Sequence, residues 1–307
     1  MEDTLNLWRS LVPVSETFSV RNICEPVFQP CYREEDGTAY EGVWKVTAGE
    51  ARYILKRAKA SEGEIYRTFF TPPRPYAPAV IARADTAEGE YLLLEFIDGT
   101  DLLRPTKPRL LSAVRAISAM QNDFWQNDFW QNDALAGRGY TFLQSFSDRK
   151  ARRAYLGSAL LEKWYDIYLE AYERLPRTLC HDDLLPFNLL IDGSRAVLID
   201  WEAGGILPYP VCIARLTAHG RSHGAFFRMT PEQRRYAAEA YYALALRPHG
   251  IGHDAFVRAL SLFLFSESCE WVVIGNRYGK EECPYYLPYL RTANRMARAL
   301  ERGEPLF

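Results

Sequence analysis

The sequence is poor in the features that cross-link, export or anchor a chain. Six cysteines occur in 307 residues, at 24, 31, 180, 212, 269 and 283. None forms a C-x-x-C pair and none has a histidine at zinc-finger spacing, so neither a disulfide framework nor a structural zinc site is indicated. Free thiols in a reducing compartment, and a cytoplasmic location, are the resulting expectation. No apolar run reaches the length of a membrane span, and Met1 to Phe18 carries Glu2, Asp3, Arg9 and Glu16 where a signal peptide would be apolar. Dense Lys/Arg runs are missing too, and the net charge is −2, which argues against a nucleic-acid partner. The short basic run Arg149, Lys150, Arg152 and Arg153 reads as a solvated helix face. What remains is an ordinary globular composition, long enough for two lobes with separate cores.

Those lobes differ in pattern. Val43 to Thr47 and Arg52 to Lys56 are β-rich runs around Ala48-Gly49-Glu50, an antiparallel hairpin ending on a lysine. Ser61 then opens a helix with Glu62 and Glu64 in its first turn, and Ser61 with Glu64 has the spacing of a capping box. Four prolines make Thr71 to Pro78 a loop, after which Ala79 to Ala84 and Tyr91 to Ile97 read as strands. The second runs into Asp98-Gly99, a crossing point where backbone groups of Glu95 and Ile97 could meet an adenine edge. Beyond it helical spacing dominates: Thr106 to Met120, Arg149 to Leu175, Val211 to Ala218, Pro231 to Leu246, His253 to Gly275 and Tyr285 to Arg302. A short amphipathic helix around Leu5 to Leu11 precedes everything, and residues 203–210 read as a Gly- and Pro-rich turn. The order implies an α+β fold, with a small antiparallel sheet lobe over residues 1–97 and a larger helical lobe over 98–307, hinged near 95–99.

One stretch is odd. From Gln121 to Asp133 the unit Gln-Asn-Asp-Phe-Trp is given twice and begun a third time. A period of five fits neither helix nor strand, although on a helix Trp125 and Phe129 would share a face. A duplication tolerated at the surface is the plain reading; an aromatic wall beside a pocket is the other.

The densest chemistry lies between Cys180 and Glu202. Leu189 to Ile191 and Ala196 to Ile199 flank the turn cluster Asp192-Gly193-Ser194, a hairpin that returns Asn188 and Asp200 to one end. His181-x-Asp183-x4-Asn188, followed by Asp200 on the next strand, is the spacing of a phosphoryl-transfer site. There the first Asp is the base, and the Asn and second Asp hold magnesium. Lys56 fits a strand lysine that pairs with nucleotide phosphates. Alone, it reads more readily as an edge-strand lysine that deters aggregation, and only the motifs downstream favour the nucleotide. Glu64 is its candidate partner and Glu62 the fallback.

Lys56, Glu64, the Leu94 to Gly99 crossing, the His181 to Asn188 loop and Asp200-x-Glu202 together resemble the aminoglycoside phosphotransferase and choline kinase superfamily, which has a bilobal protein-kinase-like fold. The resemblance implies ATP or GTP with Mg2+, and transfer to a hydroxyl of a small, often amine-bearing acceptor: an aminoglycoside-like compound or a metabolite such as choline, ethanolamine, homoserine or thiamine. It assigns Asp183 as base, His181 as loop support, and Asn188 and Asp200 as metal ligands. Lys56, Glu64, Glu95, Ile97, Gly37 and Thr38 fall to the nucleotide, with Tyr40 beside them. Glu202, Glu267, Glu270 and Trp271 fall to the acceptor, with Tyr278 on the same helical face. Asp182 departs from the family's usual Gly, and Tyr32 to Gly42 lacks a glycine-rich signature. No Ala-Pro-Glu segment follows Asp200, which disfavours a protein substrate. A catalytically silent nucleotide-binding scaffold is the reading from another class, and the intact Asp183, Asn188 and Asp200 argue against it.

Overall fold

A computed structural model describes Trp8, Leu11 and residues 26–32, 37–59, 61–125, 135, 137–218 and 229–307. Five strands open the chain: β1 (Val27–Tyr32), β2 (Ala39–Ala48), β3 (Ala51–Arg57), β4 (Val80–Thr86) and β5 (Gly89–Glu95). They form one antiparallel sheet in the order β1-β2-β3-β5-β4. Successive side chains of a strand point to opposite faces, so a strand covered on both sides needs apolar residues without alternation. That is the case in β5. Leu92 and Leu94 join the main core, while Tyr91 and Leu93 join a smaller cluster with Val46, Leu55, Trp8 and Leu11. Trp8 and Leu11 are helical, and Trp8 packs on Phe28 and Tyr53; the rest of the helix expected at Leu5 to Leu11 lies outside the described residues.

Helix α1 (Glu62–Phe69) connects β3 to β4 and buries Ile65, Tyr66 and Phe69. After β5 the chain crosses into a mainly helical part: β6 (Thr100–Asp101), α2 (Lys107–Asp123), α3 (Phe142–Arg152), α4 (Ala159–Arg174), β7 (Arg177–His181), β8 (Leu189–Asp192), β9 (Arg195–Leu198), β10 (Gly204–Pro208), α5 (Pro210–Thr217), α6 (Pro231–Tyr241), α7 (His253–Tyr278) and α8 (Tyr286–Glu301). The α+β, sheet-then-helices layout is as the sequence implies. Helix α7 is apolar on most sides because it runs through the centre, where Phe263 meets Tyr168 at 5.0 Å and Tyr172 at 5.7 Å between ring centres. Among the described residues no helix is long and apolar enough to cross a membrane. The two parts are tied beside the crossing by Arg195 of β9, which donates to both carboxylate oxygens of Glu95 (2.6 and 3.0 Å) and to the Pro75 carbonyl (2.9 Å).

Three element expectations change. The single helix read from Arg149 to Leu175 is two, α3 and α4, separated where Gly157 takes a left-handed φ of +66°. Helix α6 passes into a π turn at Tyr242–Leu246 in place of a straight continuation. The largest change is at residues 203–210, read as a turn but forming β10, which pairs antiparallel with β7. Its glycines are there for contact: a Cβ on Gly205 would collide with the Tyr140 carbonyl. Such a strand carries little of the alternating pattern by which strands are recognised in sequence.

Candidate active site

Strand β7 ends on His181 and β8 begins at Leu189, so the loop between them is anchored at both ends by sheet. Leu189 pairs with Leu198 across the β8–β9 hairpin, and Ile199 donates to the Asn188 carbonyl (2.9 Å), so Asn188 and Asp200 emerge at one end. His181 is fully buried. Its Nε2 bonds the Ile199 carbonyl at 2.8 Å and its Nδ1 accepts the Asp183 N–H at 3.3 Å. Those partners require the neutral tautomer protonated on Nε2. Burial pushes the imidazole pKa down, and the Ile199 bond and the nearby aspartates only partly oppose it. His181 therefore braces the loop against the strand that leads to Asp200.

The pKa of His181 has a consequence for stability. Its folded value lies below the ordinary value of about 6.5, so beneath that pH the unfolded chain binds the proton more readily. The contribution is fully present above about pH 6.5 and is lost as the pH falls toward the folded pKa. We expect the urea midpoint to drop between pH 7 and pH 5 in the wild type by more than in His181→Gln, whose amide can still donate to Ile199. Equal drops in the two proteins would remove His181 as the cause.

Asn188 donates from Nδ2 to the Asp183 carbonyl (2.8 Å), with Asp183 Oδ2 at 3.4 Å. Its amide oxygen is thereby left for a cation. On the other side Asp183 Oδ1 accepts from Arg215 Nη2 at 2.9 Å. Arg215, on α5, also donates to Glu267 (2.8 Å) and to Glu270, both on α7, and Glu270 lies 3.5 Å from Arg152. Glu267 and Glu270, expected to face an acceptor, are thus gathered with Asp183 around an arginine of this chain. Burial raises the Glu267 pKa, with Arg215 opposing it. Trp271 packs on Tyr285 and Tyr289, at 4.7 and 5.9 Å between ring centres. Tyr278 is 65% exposed, at the end of α7.

Lys56 lies on β3, hydrogen-bonded between β2 and β5. It is not an edge residue, so the aggregation-guard reading falls away. Its Nζ meets Glu62 Oε1 at 2.8 Å and Asp200 Oδ1. The expected partner, Glu64, is corrected: Glu64 accepts from Arg138 (3.0 Å) and from the Gly139 N–H (3.1 Å) instead. At 3.6 residues per turn, positions 62 and 64 point about 200° apart, so one can face the sheet and the other cannot. Nor does Ser61 form the capping box; its hydroxyl donates to the Glu202 carbonyl at 3.2 Å. Burial works against the lysine's charge, yet Glu62 and Asp200 outweigh it and lift the pKa above the ordinary value. Burial raises the Glu62 pKa despite Lys56. For Asp200, Lys56 overcomes the burial and holds the carboxyl below its usual range.

Asp200 is the one non-glycine residue with positive φ among the described residues (φ 64°, ψ 60°). That conformation costs on the order of 1–3 kcal/mol and clusters at functional sites. Its second carboxylate oxygen and the Asn188 amide oxygen are hard donors. Among the described residues no group of three or more His, Cys, Asp or Glu side chains is arranged to hold a metal. A pair of oxygens suits magnesium, which takes one or two protein ligands and completes an octahedron with phosphate and water. Glu202 sits at the rim, 3.8 Å from Lys59. Gly37 and Thr38 are exposed before β2, with Gly37 left-handed at φ +69°. The Glu95 N–H is already given to the Ala79 carbonyl (2.9 Å), so of the two residues expected to meet an adenine edge only Ile97 could offer its N–H.

Several residues escaped the sequence reading. Arg149 is buried and meets Asp182 at 2.5 Å and the Tyr168 hydroxyl at 2.8 Å. Arg152 reaches Glu270, and Arg153 pairs with Asp166, so the supposed solvated face is largely an ion-pair face. The additional carboxylate at Asp182 was the available signal, since a buried acid calls for a buried cation. For Arg215 it was position: it is the only charge in the apolar run of α5. In the repeat, Trp125 stacks flat on His249 (4.1 Å, 6°) and Phe124 meets Phe69 edge-on. The later copy, with Phe129 and Trp130, lies outside the described residues.

Residues 36–209 match the phosphotransferase enzyme family APH, more than half of the 307-residue chain. The chain belongs to this family. Solved structures with the phosphotransferase fold agree along nearly its whole length. A choline/ethanolamine kinase family protein from Mesorhizobium loti is 15% identical with a TM-score of 0.58, covering 97% of this chain and 94% of its own. Choline kinase from Cryptosporidium parvum is 13% identical with a TM-score of 0.59, covering 98% and 97%. An amicoumacin kinase in complex with AMP-PNP, Ca2+ and Ami is also similar, at 13% identity and a TM-score of 0.59, covering 99% and 94%. A search of curated proteins finds no match.

Proposed function

We propose that this phosphotransferase-family protein transfers the γ-phosphoryl group of ATP or GTP to a hydroxyl of a small acceptor, with Asp183 as base. The observation that carries the reading is convergence. Lys56, held by Glu62 and Asp200, faces the hairpin end that also presents Asn188 and Asp183. Phosphoryl transfer through a loose transition state needs positioning and charge neutralisation more than covalent chemistry. Lys56 supplies a fixed ammonium for the phosphates. Asn188 and Asp200 would hold magnesium, which neutralises charge developing on the phosphate oxygens when bound. Asp183 orients the acceptor hydroxyl and takes its proton, while His181 keeps the loop in place without touching substrate. The nucleotide and divalent cation in the amicoumacin kinase complex support the same cofactors here.

For the acceptor, the charge pattern tempers the expectation of an amine. Glu267 and Glu270 are both engaged by Arg215 of this chain, so the reading stops at a hydroxylated small molecule. A panel of amino sugars, choline, ethanolamine, homoserine and thiamine, scored for acceptor-dependent ADP release, tests it, with labelled peptides as a further arm. Stimulation by a small molecule and not by peptides is expected. Nucleotide binding without stimulation by any compound would favour the silent scaffold.

A further inference from the structure

We propose that Arg215 is a positioning residue that sets the orientation of the Asp183 carboxylate, and that Glu267 and Glu270 hold Arg215 for that purpose. The inference rests on Asp183 being the base. A carboxylate on a loop can rotate about its side-chain bonds, and only one of its oxygens can receive the proton in a given geometry. Here Arg215 engages Oδ1 at 2.9 Å, while Oδ2 has the longer 3.4 Å contact with the Asn188 amide. An oxygen bound to a permanently charged guanidinium is the poorer proton acceptor, so Oδ2, beside the metal-facing Asn188, is left to take the hydroxyl proton.

The guanidinium is itself fixed. Its Nη1 meets Glu267 at 2.8 Å and also Glu270, and its side chain is 14% exposed. Helix α5 packs on both α7 and β7, so one arginine links the central helix to the strand that leads into the base loop. Within Asp183, Glu267, Glu270, Arg215 and Arg152 the formal charge is −1. Removing Arg215 alone would leave three acids facing Arg152. Arg215→Met therefore risks unfolding, and the cleaner variant is Arg215→Met/Glu267→Gln, which keeps the charge balance. Arg215→Lys keeps the charge but not the planar fork that spans three carboxylates.

The test uses the full chain, with water as the acceptor, read as phosphate release from MgATP. Arg215→Met/Glu267→Gln and Arg215→Lys are each expected to lower kcat about tenfold to a hundredfold, the scale of a misplaced catalytic group, with the KM for ATP within about threefold. In an Asp183→Asn background the same changes should cost less than about threefold more, because residues acting as a unit are non-additive. Equal losses in both backgrounds, or an unchanged kcat in folded variants, would overturn the proposal. If Asp183→Asn itself hydrolyses ATP at the wild-type rate, the base assignment fails instead, so the two failures are distinguishable.

Discussion

Asp183→Asn is expected to lower kcat by about a thousandfold or more while leaving nucleotide affinity within about threefold, on the scale by which a positioned base accelerates a reaction. The substitution is chosen because it removes one property. An asparagine oxygen can still accept the Arg215 hydrogen bond, and Asp183 lies in a loop whose backbone is held by His181 and Asn188. On the proposed reading nucleotide affinity would come from elsewhere, from Lys56 and the crossing near Ile97, so a loss of binding along with turnover would mean that the loop had moved. Isothermal titration with a non-hydrolysable nucleotide, set beside acceptor-dependent ADP release, separates these outcomes. A variant that turns over at the wild-type rate removes Asp183 from the chemistry and leaves the site without a base.

What sequence spacing could and could not convey follows from the kind of contact involved. The hairpin from Leu189 to Ile199 was legible because its turn and apolar runs are local, and local order places Asn188 and Asp200 together. Lys56 was legible as a strand lysine, but whether its strand lay at an edge depended on β5, more than thirty residues away, pairing beside it. The choice between Glu62 and Glu64 was not legible. It turns on which face of α1 meets the sheet, and an eight-residue helix with an acid at both positions states that only once packed. The ion pairs Arg149–Asp182 and Arg215–Asp183 join residues thirty-three and thirty-two apart. Strand β10, which opens on two glycines, was hidden because contact with the Tyr140 backbone selects glycine over a patterned side chain at Gly205.

The second large effect concerns Lys56, and it separates fold from function. Lys56→Met should reduce turnover about a hundredfold, since the fixed charge on the phosphates is lost where electrostatic stabilisation is the main catalytic resource. It should also destabilise the protein by about 3–5 kcal/mol, the usual result of leaving a buried charge without its partner, because Glu62 is fully buried against that lysine. Burial already raises the Glu62 pKa, and without Lys56 it rises further. A folded pKa above the unfolded value means that stability is present at low pH and is lost as the pH climbs through the folded pKa. The variant should therefore be relatively more stable at pH 5 than at pH 8. Adding Glu62→Gln removes the uncompensated acid, so Lys56→Met/Glu62→Gln should recover most of the urea midpoint and lose the added pH dependence, with turnover still low. Glu64→Gln is the control: its exposed pair with Arg138 is worth about 0.2–1 kcal/mol, and turnover should stay within about twofold. If Glu64→Gln proved as damaging to turnover as Glu62→Gln, the lysine's working partner would be the one the sequence first suggested.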